Sequence, residues 1–169
     1  MDGKCRRLLG LWLPTLPFGV LDATLTLRGQ SAAYWAGDYQ QVNELTGFLN
    51  QLLQIHPAAF IAFVCVEFAL FGCFILLVSD GLALWASISA TLSWCLGAST
   101  WILPRPHYGV AACQGLYLLA ALLLMLGIRY AWRARPDEKY ELRHFSPRWR
   151  GVLATGIVVL FVYLNLWPH

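Results

Sequence analysis

Apolar residues run in long blocks along this chain, and polar residues gather between the blocks. Ala58–Val78 holds a single charge, Glu67, while Gly81–Leu103 and Tyr108–Ile128 hold none, and Arg129 closes the last of these. Each is as long as the about 20 residues a helix needs to cross a hydrocarbon core of about 30 Å. Gly151–Trp167 is shorter but uncharged, with Trp149 and Trp167 at its ends, where indole rings anchor at headgroup level. The pattern therefore predicts four spans, and a fifth at the N-terminus needs its own argument.

That segment, Leu8–Leu27, is long enough but carries Pro14, Pro17 and Asp22. A basic start before an apolar run also fits a signal peptide. Two prolines and an aspartate in the apolar run, with no small-x-small site close behind, favour an uncleaved, kinked span. Lysines and arginines supply a second test. With five spans, Lys4, Arg6 and Arg7 fall on one side with Arg129, Arg133, Arg135, Lys139, Arg143, Arg148 and Arg150, and the short turn at Asp80 joins them there. Only Arg28 and Arg105 fall opposite, and ten against two orients the chain with its N-terminus in the cytoplasm and its C-terminus outside. Without the first span the two basic groups would lie on opposite faces.

Between the first two spans, Tyr34, Trp35 and Tyr39 form an aromatic patch suited to headgroup level. Val42, Leu45, Phe48, Leu49, Leu52 and Ile55 then recur at steps of three and four, one face of an amphipathic helix. Asp38 with Gln41 behind it reads as the N-cap and Pro57 as a stop or kink. The expectation is a helix over about 39–55 lying on the outer surface; the alternative is a bent extension of the second span. Trp132–Arg150 mixes acidic and basic residues and reads as a solvated cytoplasmic loop.

Composition agrees with this class. Apolar residues make up 59% and charged residues 12%, against about 45–50% and about 25% in soluble globular domains. The fold class is an all-α integral membrane bundle of about five transmembrane helices plus one outer-surface helix, with residues 1–169 forming one domain. The five cysteines contain no C-x-x-C pair, so neither a disulfide framework nor a metal site is indicated. No span has a central histidine or a lysine, and there is no H-E-x-x-H or paired-aspartate motif. The residue sets for haem ligation, a retinal Schiff base or hydrolysis are thus missing, and the reading is of a protein without cofactor that is not an enzyme and binds no nucleic acid.

What remains are ionisable groups inside the bilayer, which are costly and mark functional positions by default. Glu67 lies ten residues past Pro57, about 15 Å along its helix and close to the midplane. Asp22 lies in the outer part of the first span. Both are candidates for proton or cation binding, against the plainer reading of interhelical hydrogen bonding, or for Asp22 of pairing with Arg28. In the third span Ser89, Ser93 and Gly97 form a small-residue stripe at four-residue steps, either an internal packing face or a contact with another subunit. Trp94 beside it is core packing or part of a pocket.

One local pattern looks like a known family. Leu21-Asp22-Ala23-Thr24 with Thr26, then Gly29, Asn43-Glu44, Pro57 and Phe60, resembles a family of small, uncharacterised bacterial multi-pass membrane proteins. In that family an L-D-x-x-x-T helix is followed by a glycine, a Glu-x-Asn-Pro element and a second span. The likeness covers about residues 20–65. Here the order is Asn43-Glu44 with no proline after it, and Glu67 stands where the family often has a basic residue. The resemblance implies architecture, a bacterial inner membrane and a polar cluster of Asp22, Asn43 and Glu44. Two functions follow as expectations. One is a structural or accessory subunit that packs in the lipid bilayer against other membrane subunits or against itself. The other is a small proton- or cation-coupled transporter using Glu67 and Asp22.

Overall fold

The computed structural model describes residues 3–44, 47–131 and Thr155. Seven helices and no strand occur among them: α1 (Gly3–Leu11), α2 (Leu16–Arg28), α3 (Ala32–Trp35), α4 (Gly47–Ile55), α5 (Pro57–Leu77), α6 (Asp80–Ile102) and α7 (Gly109–Ala131). Helices α5, α6 and α7 are each long and apolar enough to cross a membrane, and their bounds fall within three residues of those expected. Helices α1 and α2 pass the same test together but are bent by 45°, so the described residues hold three spans, or four if the bent pair is one. The expected fifth span, Gly151–Trp167, and the Trp132–Arg150 loop lie outside the described residues, apart from Thr155.

The bend follows from proline chemistry. Pro14 and Pro17 cannot donate to the carbonyls of Gly10 and Leu13, and their rings would clash there. The chain therefore breaks at Trp12–Thr15 and restarts with Pro17 in the first turn of α2, where no backbone donor is needed. The break is tied down. Trp12 Nε1 donates to the Phe68 carbonyl of α5 at 3.0 Å, and the buried Thr15 hydroxyl donates to the Trp12 carbonyl at 2.6 Å. Below the break α1 packs on α7, and above it α2 packs on α6.

Charged residues gather at the two ends of the described bundle. The buried Arg7 of α1 donates to the Val78 carbonyl and pairs with Asp80 at 3.3 Å, holding the N-terminal helix against the α5–α6 turn. Gly10 meets Gly127 near the C-terminal end of α7, which brings Arg129 to the same end. At the far end Gly29, next to Arg28, lies against the Trp101 ring, and Arg105 follows three residues after the end of α6 at Ile102.

The outer segment differs from expectation. A helix over 39–55 is replaced by a short α3, an irregular stretch through Glu44, and α4 over Gly47–Ile55 alone. Asp38 does not cap a helix. Its Oδ1 accepts from Gln40 N at 3.3 Å, an Asx turn that competes with helix entry. Gln30 and Asn43 then bond reciprocally, Asn43 N donating to Gln30 Oε1 at 2.8 Å, which keeps this stretch non-helical. The short α3 has its own N-cap, Ser31, whose hydroxyl accepts from Tyr34 N at 3.1 Å.

Nor does α4 simply prolong α5. Phe48 and Phe63 are 15 residues apart, about 22 Å in a straight helix, yet their ring centroids are 5.0 Å apart. The chain folds back at His56, which is extended. Leu53 is buried with Tyr34 and Phe60, and the Tyr34 hydroxyl donates to the Leu53 carbonyl at 3.1 Å. Val42, Leu49 and Leu52 pack on this cluster as the periodicity predicts. Ile55 instead is exposed, Asn50 turns inward to donate to the Glu44 carbonyl at 2.8 Å, and Leu45 lies outside the described residues.

Candidate functional site

Helix α2 shows a run of small and polar residues to its neighbours. Gly19, Asp22, Thr26 and Gly29 recur at steps of three and four, one face of the helix. Gly19 lies against Phe68 of α5 and Trp94 of α6, Gly29 against Trp101, and Thr26 is buried. Asp22 meets Gly97 of α6 so closely that a Cβ at Gly97 would stand 2.5 Å from Oδ2 and 2.6 Å from Oδ1. The missing side chain at Gly97 is what gives the carboxyl its place.

Asp22 is within electrostatic reach of Glu67, half-buried on α5, and of Glu44 on the irregular stretch, with the Cys95 thiol of α6 also near it. Of the residues expected to form a polar site, Glu44 and Glu67 act on Asp22 through space. Asn43 is not part of the group. Its Nδ2 donates to the Gly29 carbonyl at 3.2 Å, so it satisfies the open C-terminal end of α2.

Arg28 does not pair with Asp22. The arginine is exposed at the end of its helix, and the ion pair present among the described residues that carry spans is that of Arg7 with Asp80. Among the described residues neither the Asp22 nor the Glu67 carboxyl accepts a hydrogen bond. Nor do three histidine, cysteine, aspartate or glutamate side chains stand close enough together to hold a metal ion. The arrangement offers oxygen atoms in apolar surroundings, suited to a proton or a weakly held monovalent cation. It offers no nucleophile–base pair.

The small-residue stripe on α6 is displaced. Of Ser89, Ser93 and Gly97, Gly97 is covered by α2, Ser89 is half-buried and Ser93 is exposed. The buried face is Ser87, Thr91, Cys95 and Ser99, with Ala83 and Ala98. Ser87 Oγ donates to the Leu11 carbonyl at 2.6 Å, across to the end of α1. Thr91 and Ser99 return their hydroxyls to the carbonyls four residues back, at 2.8 and 2.7 Å. Both stripes are small and share the four-residue step, so periodicity alone does not choose between them, although they lie about 200° apart around the helix. Trp94 is packed, its ring 5.2 Å from Phe68 and 5.8 Å from Phe71.

The feature that sequence reading missed is the close approach of neighbours at glycines: Asp22 at Gly97, Trp101 at Gly29 and the Gly127 backbone at Gly10. The step of Gly19, Asp22, Thr26 and Gly29 was its visible sign. No family model, no curated protein and no solved structure matches this chain.

Proposed function

We propose that this chain is a structural or accessory subunit of a larger membrane assembly, in a bacterial inner membrane, and not an enzyme. The observation that carries this reading is the outward face of α6. Trp85, Ser93, Leu96 and Thr100 are exposed there, Ser89 beside them is half-buried, and neither serine hydroxyl bonds a described residue. Small hydroxyl-bearing residues on a span are suited to close helix contact, and facing lipid they gain nothing. Native mass spectrometry of the gently solubilised full chain is expected to return a second membrane subunit, or a second copy, in fixed ratio. Ser93→Phe should release it and leave the chain folded. A chain recovered only as a monomer from mild detergent rules the reading out.

In the same proposal Gly151–Trp167 is the fifth span, with the N-terminus and the Trp132–Arg150 loop cytoplasmic and the C-terminus outside. Its support is the lysine and arginine bias together with the meeting of Arg7, Asp80 and Arg129 at one end of the bundle. Reporter fusions at Met1, Asp137 and His169 should report inside, inside and outside. The same side at Asp137 and His169 would exclude five spans.

A second reading, a small proton- or cation-coupled transporter, is favoured by one observation, the electrostatic influence of Glu44 and Glu67 on Asp22. The broken first span adds to it, since interrupted helices accompany substrate sites in transporters. Glu67 is the residue that separates the two readings.

A further inference from the structure

A groove of about 550 Å³ opens on the outside of the bundle between α6 and α7. Ile88 and Leu92 line it from α6; Tyr117, Leu124 and Met125 line it from α7, and Arg129 closes one end. Its walls are apolar except at that end. Arg129 is exposed and forms no ion pair with a described residue.

The depth of the groove decides what fits it. From Tyr117 to Arg129 is twelve residues, about 18 Å of helix at 1.5 Å per residue. One leaflet of a hydrocarbon core of about 30 Å is about 15 Å deep. The groove thus begins at a guanidinium at the membrane surface and ends near the midplane. The α6 wall agrees, because Ile88 lies in the half of that helix nearest Asp80 and Leu92 one residue past its middle. A transmembrane helix, from this chain or from a partner, crosses both leaflets and would need a groove about twice as deep. A lipid acyl chain stops at the midplane.

We propose that this groove is a binding site for one anionic phospholipid, with an acyl chain along Ile88, Leu92, Tyr117 and Leu124 and the headgroup on Arg129. Apolar walls receive the chain. The guanidinium, always charged and shaped for phosphate oxygens, selects the headgroup. The site adjoins the open face at Ser93 along α6, but its test reads a bound lipid and not a second subunit, so its outcome is distinct from that of the accessory reading.

The test uses the full chain in vesicles of phosphatidylcholine with one tenth phosphatidylglycerol, extracted gently and analysed by native mass spectrometry. One retained lipid per chain is expected, with phosphatidylglycerol enriched about fivefold over its share, the effect of one basic residue near the surface. Arg129→Gln should remove the enrichment and keep the retained lipid. Ala121→Trp, which fills the groove from its α7 wall, should remove the lipid whatever its headgroup. Leu118→Ala, on an exposed position of α7 outside the groove, should change neither and shows that the bundle tolerates substitution there. Enrichment that survives Arg129→Gln overturns the proposal. So does a retained protein chain, in place of lipid, that Ala121→Trp displaces.

Discussion

Gly127→Ala is expected to lower the stability of the folded chain by about 3 kcal/mol, at the upper end of what one misplaced methyl group costs in a packed interior. The α1 and α7 backbones touch where they cross. A Cβ at Gly10 would stand 2.5 Å from the Gly127 carbonyl oxygen and 2.6 Å from the Ala131 Cβ. A Cβ at Gly127 would run into the Gly10 carbonyl and come within 2.5 Å of the Pro14 ring. Neither obstacle is a side chain that can rotate away, so the helices must separate. Separation also strains the bonds that Arg7 makes to Val78 and Asp80 from the same short helix. Gly127→Leu should leave little folded protein.

The control lies in the same helix. Nothing stands within 4 Å of a Cβ at Gly115, so Gly115→Ala should be neutral or gain about 0.5–1 kcal/mol from restricted backbone freedom. Thermal melting of the purified full chain in one detergent compares the two directly. Equal melting of the Gly127 and Gly115 variants would falsify the close crossing.

The contrast between those two glycines shows where the sequence is legible and where it is not. Spans α5, α6 and α7 were readable because each is a continuous apolar run bounded by prolines, charges or short polar turns, and length alone sets the class. The break before α2 was readable because proline acts through local chemistry that needs no knowledge of neighbours. The outer segment was readable in its apolar period but not in its extent. Whether Asp38 caps a helix or closes a turn depends on where its carboxyl finds a donor, and the Gln30–Asn43 pair that tips the outcome joins residues thirteen apart. The stripe on α6 failed for a related reason. Ser87, Thr91, Cys95 and Ser99 are no smaller or more polar as a set than Ser89, Ser93 and Gly97, and only the arrival of α1, α2 and α7 distinguishes them. Of the expected polar site, Glu44 and Glu67 act on Asp22 only through space, while Asn43 is claimed by the end of α2.

Gly97→Leu is expected to cost several kcal/mol and to displace the Asp22 carboxyl, because even a Cβ at Gly97 would stand 2.5 Å from Asp22 Oδ2. The obstacle here is a side chain that can turn. Gly97→Ala should therefore be milder than Gly127→Ala, about 1–2 kcal/mol. That cost should shrink or disappear in the Asp22→Ala background, where the three atoms nearest the new methyl group are gone. Such coupling is the signature of direct contact, and additive losses would show that Gly97 and Asp22 are not in contact. Glu67 then separates packing from transport. Glu67→Gln keeps the size and hydrogen-bonding capacity of the neutral acid and removes its exchangeable proton, and no hydrogen bond from a described residue depends on that carboxyl. Folding, melting and partner binding are expected to match those of the parent chain. If vesicles containing the parent chain take up protons or monovalent cations and Glu67→Gln abolishes this with melting unchanged, the carboxyls carry ions, and transport displaces the accessory reading.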